Sequence, residues 1–290
     1  MEKAKLMMKN ALTIDVEDWY MTQDFNFPFS TWGNYEDRVE YSTALFLDTL
    51  EKTNTKATFF VLGCVAEKHP ALIRTITSRG HELACHGYSH RMVSRMSKDE
   101  FREDLVKSKH LLEDISGTGI DMFRSPTWSI NENTLWALEI LEEEGFLYDS
   151  SIQPFKTPLS GISHTPLHFF YPKVNGKILK LLELPPGIAQ IGPLKFPFAG
   201  GLYFRVIPNF IVEFFIKNIN KERPVITYFH PWEVDPGQPR LQVSSLIRIT
   251  HYINLKKNLD KIEQFLQQFP FAPIGEIVRE EKKYPVFEIS

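Results

Sequence analysis

The stretch His81-Glu82-Leu83-Ala84-Cys85-His86-Gly87-Tyr88-Ser89-His90 reads as a short strand that runs out on two imidazoles four positions apart. Histidines at that spacing can meet one metal ion on a helical turn or a tight loop. Upstream, residues 56–62 are apolar and β-rich, as expected of a strand buried on both faces. Near the N-terminus, residues 11–16 read as a strand ending in acids, Asp15-Val16-Glu17-Asp18. An acid-rich strand end, a buried strand and an H-x-x-x-H pair together point to a metal-dependent hydrolase site.

Working outward, β and α patterns alternate. Residues 38–51 place Val39, Leu45, Leu47 and Leu50 at spacings compatible with a helix. Residues 70–79 read as a helix with Pro70 in its first turn and Gly80 closing it. Ser97-Lys98-Asp99-Glu100 is a capping box, and Phe101, Leu105, Leu111, Leu112 and Ile115 continue its helix. Residues 121–123 and 147–149 read as short strands around a helix at 131–144 that ends on Gly145. From 150 to 201 prolines and glycines are frequent and only short strands, at 168–171 and 181–184, are expected. This region reads as an elaboration over the site rather than a second domain. A helix at 209–219, a strand at 225–229, a helix at 255–268 and a last short strand at 271–273 complete the pattern. The alternation predicts a parallel sheet, closed as a barrel or open.

Nearly every candidate polar residue follows a strand: Asp15 to Asp18, His86 and His90, Arg124, Asp149 and His230. In parallel α/β architectures the strand C-terminal ends share one face, and active sites form there. The bulk numbers permit one large α/β domain or two small ones: 290 residues, 43% apolar, enough for a sizeable core. The 23 Phe and 5 Trp suit both a core and a carbohydrate-stacking groove. A formal net charge of −3 and a pI near 6.3 do not suggest a nucleic-acid or anionic-membrane binder. Two cysteines, Cys64 and Cys85, exclude a disulfide scaffold and read as buried free thiols at strand ends. Residues 1–10 carry three lysines, and the apolar run that follows is interrupted by Asp15, so no signal-peptide core is present. No apolar run approaches the roughly 18 residues a spanning helix needs. The expectation is a soluble, cytoplasmic protein without a transmembrane segment or a nucleic-acid partner.

As a set and in order, these elements resemble the polysaccharide deacetylases of carbohydrate esterase family 4, the NodB-homology family. That family carries an Asp-Asp pair after its first strand, an H-x-x-x-H after its third, an R-x-P-x-W or similar element, an Asp and a final His. The matching residues here are Asp15 with Glu17 or Asp18, His86 with His90, Arg124-Ser125-Pro126-Thr127-Trp128, Asp149-Ser150-Ser151, and Thr227-Tyr228-Phe229-His230-Pro231-Trp232. Asp15-Val16-Glu17-Asp18-Trp19, Tyr148-Asp149-Ser150-Ser151, Pro197-Phe198-Ala199-Gly200-Gly201-Leu202-Tyr203-Phe204-Arg205 and His230-Pro231-Trp232-Glu233-Val234-Asp235 also resemble deacetylases of bacterial exopolysaccharide and exosortase loci. The resemblance implies a single α/β domain over residues 1–290: a distorted, incomplete (β/α) barrel of about seven parallel strands. A loop and hairpin elaboration at about 150–205 would cover the C-terminal face of the strands.

It further implies a metal-dependent hydrolase that removes N-acetyl groups from amino sugars of a bacterial polysaccharide or its lipid-linked precursor. Zn2+, or another divalent first-row ion, would sit on His86, His90 and one carboxylate. Asp15 would be the general base, kept ionised by Arg124, and His230 the general acid. Asp149 would stand near Arg124 or His230. Trp128 and Trp232 would wall the pocket, and Arg205 would touch substrate hydroxyls or a phosphate. Glu183 could line the groove, and Tyr228, where the family has an apolar residue, would alter its lining. The family's adjacent Asp-Asp is replaced here by Asp15-Val16-Glu17-Asp18. The metal carboxylate is then Glu17, on the same side of an extended chain, or Asp18, if the chain turns; the shorter side chain favours Asp18. Two other readings stay open: an allantoinase-like hydrolase of cyclic amides from the same superfamily, and a catalytically inactive carbohydrate-binding protein. A long open groove favours glycan; a small closed pocket favours a small amide.

Overall fold

The structure, a computed structural model, describes residues 7–157, 160–280 and 283–289. Most of the lysine-bearing lead-in, residues 1–6, lies outside the described residues, so the structure speaks to the 1–290 domain only within those limits.

Every residue of β1 (Asn10–Val16) is buried, and α1 (Val39–Lys52) leads from it to β2 (Thr58–Val61). Next come α2 (Gly63–Lys68), α3 (Pro70–Ser78), β3 (Glu82–Cys85) and α4 (Lys98–Ser116). Ser97 and Glu100 close the expected capping box at the start of α4, and Gly117 ends it in the left-handed region. β4 (Met122–Phe123), α5 (Trp136–Glu143) and β5 (Tyr148–Asp149) follow. The second half brings β6 (Tyr171–Val174), β7 (Lys177–Ile178), β8 (Leu182–Glu183), and the hairpin of β9 (Ile188–Ile191) with β10 (Leu194–Pro197). After it run α6 (Gly201–Val206), α7 (Asn209–Ile219), β11 (Ile226–Phe229), α8 (Ser245–Tyr252) and α9 (Leu255–Gln268). The described chain closes with β12 (Phe271–Ala272), α10 (Ile274–Glu280) and β13 (Val286–Glu288).

The main sheet runs β11-β1-β2-β3-β4-β5-β8, with β12 on the N-terminal end of β1, and every pairing in it is parallel. Seven parallel strands curl into a half-barrel, the distorted, incomplete barrel that the sequence implies. Both halves of the chain build it, since β8, β11 and β12 join β1–β5 in one sheet. The gap between β8 and β11 is bridged irregularly: Gly187 N–H donates to Ile226 O at 2.9 Å and Tyr228 N–H to Ala199 O at 3.1 Å. Closure there needs bare backbone. A Cβ on Gly200 would come within 1.9 Å of Tyr228 O, and one on Gly187 within 2.4 Å of Val225 Cγ1. Phe60 packs on one face of the sheet with Ala84, Met122 and Ile226, while Phe59, Phe123, Phe146 and Phe229 pack in a second cluster with Phe46 and Leu105 of the helices, each worth about 1.5–3 kcal/mol of burial.

Four expectations change. The helix expected at 131–144 starts only at Trp136, because Asn131 N–H donates to Thr134 Oγ1 and Asn133 N–H to Asn131 Oδ1, tying that segment into a turn. The strand expected at 168–171 begins at Tyr171, and β12 is not the last strand. Cys64 starts α2 and is only half-buried, while Cys85 is buried at the end of β3.

Candidate active site

The chain does not stay extended after β1. Glu17 N–H donates back to Asp15 O at 2.9 Å, a tight turn about Val16. Asp15 and Thr13, two positions apart on one face of β1, both accept from Arg124 Nη1, at 2.6 and 2.8 Å. Arg124 leaves β4 fully buried, gives Nη2 to Ser150 Oγ at 3.0 Å and stacks over Phe60 at 4.0 Å. A buried guanidinium set beside a buried carboxylate is the arrangement that makes such an ion pair tenable.

Glu17 swings toward the loop after β3. Its Oε1 lies 3.1 Å from His90 Nε2 and 3.4 Å from His86 Nε2, and the three ligand atoms fall within 4.8 Å of one another. Burial pushes the Glu17 carboxyl up, but His90, His230 and His86 outweigh it and hold the group well below the usual carboxylate range. His86 Nδ1 sits 2.8 Å from Arg124 O, so it carries the proton there and leaves the Nε2 lone pair facing Glu17. That Nε2 is buried and lacks an aligned hydrogen bond. His90 adopts φ +54 and turns its ring back on the same point. The loop is anchored from α4, where Asp104 Oδ1 accepts from Tyr88 N–H at 2.8 Å. Two imidazoles and one ionised carboxylate, converging with an orphaned buried nitrogen, fit a divalent ion.

Asp18, the residue favoured by side-chain length, is turned away. Its Oδ1 caps the turn Trp19–Met21 by accepting Trp19 N–H at 2.8 Å, and its Oδ2 accepts Arg38 N–H and Val39 N–H at 2.7 and 3.0 Å. Both oxygens are committed to helix starts, so Glu17 is the carboxylate in the cluster.

His230, just past β11, reaches the same point from the other side. Its Nε2 lies 4.0 Å from Asp15 Oδ2 and 3.7 Å from Glu17 Oε1. Its Nδ1 faces Glu233 Oε2 at 3.4 Å, and Glu233 is in turn bonded by Arg205 Nε at 3.1 Å. Burial alone would lower the imidazole; Glu17, Glu233 and Asp15 more than offset this and raise it to about 9. Glu233 went unremarked as a site residue in the sequence reading, although its spacing from His230 (i, i+3) was a usable signal.

Arg205 borders the cavity and gives four of its five donors to Glu233 and to the carbonyls of Thr250, His251 and Ile253, so it ties α6 and α8 to the site. Asp149 makes no hydrogen bond to Arg124 or His230, but Arg124 is close enough to favour its charged form. Asp149 faces Glu183, its register partner on β8; burial raises Asp149 to about 6 and Glu183 well above the usual range, so the two share a proton. Glu183 accordingly lies behind the site and not in the groove. Trp232 lines the cavity, but its ring is sandwiched between His230 (5.5 Å) and His251 (4.3 Å) as a buttress. Trp128, held at φ +50 beside Thr127 at φ +60, packs edge-on to Tyr228 at 4.4 Å, and both line the cavity. The cavity holds about 600 Å³. A second groove of about 300 Å³ shares Thr22, Gln23 and His90 with it and continues past Phe29 and Trp32.

If Glu233 sets the proton affinity of His230, Glu233→Gln should move the alkaline limb of the pH–rate profile downward. The raised imidazole stays protonated up to about pH 9; removing one of its carboxylates lowers that value, so the acid form is lost earlier as pH rises. A profile unmoved by the substitution would deny Glu233 this role.

The fold and this rim cluster define an open parallel α/β barrel with a buried two-histidine, one-carboxylate site at its C-terminal face. Residues 30–145 match the family model for polysaccharide deacetylase, and residues 150–279 match a domain of unknown function (DUF3473). The peptidoglycan-N-acetylglucosamine deacetylase of Bacillus cereus is 39% identical over 98 residues, covering 33% of this chain and 36% of that protein. Chitin deacetylase 1 of Cryptococcus neoformans is 29% identical over 104 residues, 36% of this chain and 22% of that protein. The chain thus spans about a third or less of the length of these curated relatives. A crystal structure from Mycobacterium smegmatis, assigned as a polysaccharide deacetylase, aligns with a TM-score of 0.60 at 20% identity over 93% of this chain and 88% of that one. Residues 30–145 thus carry a polysaccharide deacetylase domain of the NodB-homology kind, and the chain as a whole shares the fold of the Mycobacterium smegmatis structure. His86, His90 and Arg124 fall within the polysaccharide deacetylase match and His230 within the DUF3473 match; Asp15 and Glu17 lie outside both and reach the site from β1.

Proposed function

We propose that the chain is a divalent-metal-dependent N-deacetylase acting on N-acetylated amino sugars of a polysaccharide or of its lipid-linked precursor. The observation that carries this is the convergence of Glu17, His86 and His90 between the Asp15–Arg124 pair and His230. A divalent ion held there, zinc suiting the donor set best, would polarise the acyl carbonyl and acidify an attacking water. Asp15, its Oδ1 held by Arg124, keeps Oδ2 toward the cavity to take the water's proton. His230 gives a proton to the departing nitrogen, and Glu233 keeps it charged and oriented for that step. Trp128 and Tyr228 wall the space for the acyl methyl or the sugar.

The cavity and its neighbouring groove suit a glycan chain better than a small cyclic amide, and the complete acid, base and ligand set speaks against an inactive binding protein. The test is metal analysis with acetate release from N-acetylglucosamine oligomers, lipid-linked glycans and allantoin. Acetate release from N-acetylated substrates should depend on added metal, and His230→Ala should lower it about a hundredfold or more at unchanged metal content. Turnover of allantoin alone, or metal-loaded protein without acetate release, would overturn the reading.

A further inference from the structure

Fifteen large apolar side chains are exposed among the described residues, and nine of them lie between Ile191 and Ile249. They are not scattered. Phe196 of the β9–β10 hairpin stacks on Phe215 of α7, and α7 exposes Phe210 (70%) and Phe214 (58%) one turn apart. Val206 and Tyr203 continue the surface on α6, whose Arg205 bonds the C-terminal carbonyls of α8. α8 adds Leu246 (72%) and Ile249 (55%). Tyr203 and Leu246 also line the cavity, so exposed apolar side chains of α6 and α8 stand at its mouth. Exposed apolar patches of this extent on a soluble protein mark an interaction site.

The charge of the same region says what covers it. The whole chain is acidic, at −3, but residues 190–257 carry nine Lys and Arg against four acids. Two of those acids, Glu233 and Asp235, are buried, the first against Arg205, itself buried, and the second against Arg38, which leaves eight cations against Glu213 and Glu222. Along α7 and just beyond it, Phe210, Phe214, Lys217 and Lys221 recur at helical spacing, aromatics first and cations after, though Lys217 also pairs with Glu213. On α8, exposed Arg248 lies between Leu246 and Ile249. Aromatic and aliphatic anchors ringed by cations match an anionic membrane interface. Among the described residues no helix is long and apolar enough to cross a membrane.

We propose that this face docks on an anionic bilayer surface and holds the cavity mouth toward an N-acetylated glycan carried on a membrane-embedded lipid. The docking stands on the surface alone; the substrate class rests on the deacetylase reading above. The test mixes the full chain with vesicles of phosphatidylcholine alone or with an equal part of phosphatidylglycerol, and measures co-sedimentation. The chain should sediment with the anionic vesicles and be released by high salt. The double variant Phe210→Ser/Phe214→Ser should lower the bound fraction at least about tenfold. Neither residue lines the cavity, so the variant should keep its melting temperature and its acetate release from soluble N-acetylglucosamine oligomers. A chain that stays in the supernatant with both vesicles overturns the proposal, as does a double variant that sediments like the parent. It is equally overturned if the parent dimerises through this face, seen by light scattering, and the variant is a monomer. Vesicle binding without acetate release from any N-acetylated substrate would keep the docking and sink the deacetylase reading.

Discussion

Asp15→Asn should hold its metal and lose turnover by about 10²–10⁴-fold. The amide is nearly isosteric, and its oxygen can still accept from Arg124 Nη1. What it cannot do is take a proton, and the ligand atoms on Glu17, His86 and His90 are untouched. The substitution also strips a fully buried guanidinium of its counter-charge, which costs up to about 3–5 kcal/mol when a buried pair is broken outright. The cost here should fall below that range, because Thr13 and Ser150 keep their bonds to Arg124 and Phe60 keeps its stacking. Metal content, turnover and melting temperature measured on one preparation separate the three effects. Near-normal turnover would remove Asp15 from the base role, and loss of metal would mean that the carboxylate serves the ion.

The strands and the rim were legible in the sequence for one physical reason. Strands of a parallel sheet covered on both faces are apolar throughout, so an ionisable residue at a strand's end stands out as a break in a run. Asp15, His86, Arg124 and His230 were all found in that way. What stayed hidden depends on partners distant in sequence. The choice between Glu17 and Asp18 turns on the bend at Val16 and on whether α1 needs a cap, and Asp18 meets its partners at Arg38 and Val39, about twenty residues on. Arg205 looked available because its carbonyl partners, Thr250 to Ile253, come from α8 and its end, which carried no helix signal strong enough to place. Asp149 looked catalytic by order; its pairing with Glu183 depends on register between β5 and β8, the weakest-patterned part of the sheet. Net charge hides local placement in the same manner, since a total of −3 averages over the basic residues gathered between 190 and 257.

Glu17→Ala should cost the protein its metal, while Asp18→Ala should leave the metal in place and weaken the fold. Glu17 is the only carboxylate among the described residues grouped with two histidines, and those imidazoles keep it ionised in spite of its burial. Without it two neutral imidazoles remain, and affinity should fall by well over the roughly 10–100-fold typical of losing an outer partner of a metal ligand. A bound ion stabilises the folded state by about 4 kcal/mol at a thousand times its Kd. Added zinc should therefore raise the melting temperature of the parent and of Asp18→Ala but not that of Glu17→Ala. Asp18→Ala removes three backbone hydrogen bonds at two helix starts, each cap worth about 0.5–2 kcal/mol, so its metal-free melting temperature should drop while turnover survives. The two side chains are neighbours in the chain, yet the turn at Val16 sends one to the ion and the other to the backbone. The reverse pattern, with metal lost in Asp18→Ala and kept in Glu17→Ala, would show that the ion recruits the shorter carboxylate by opening that turn.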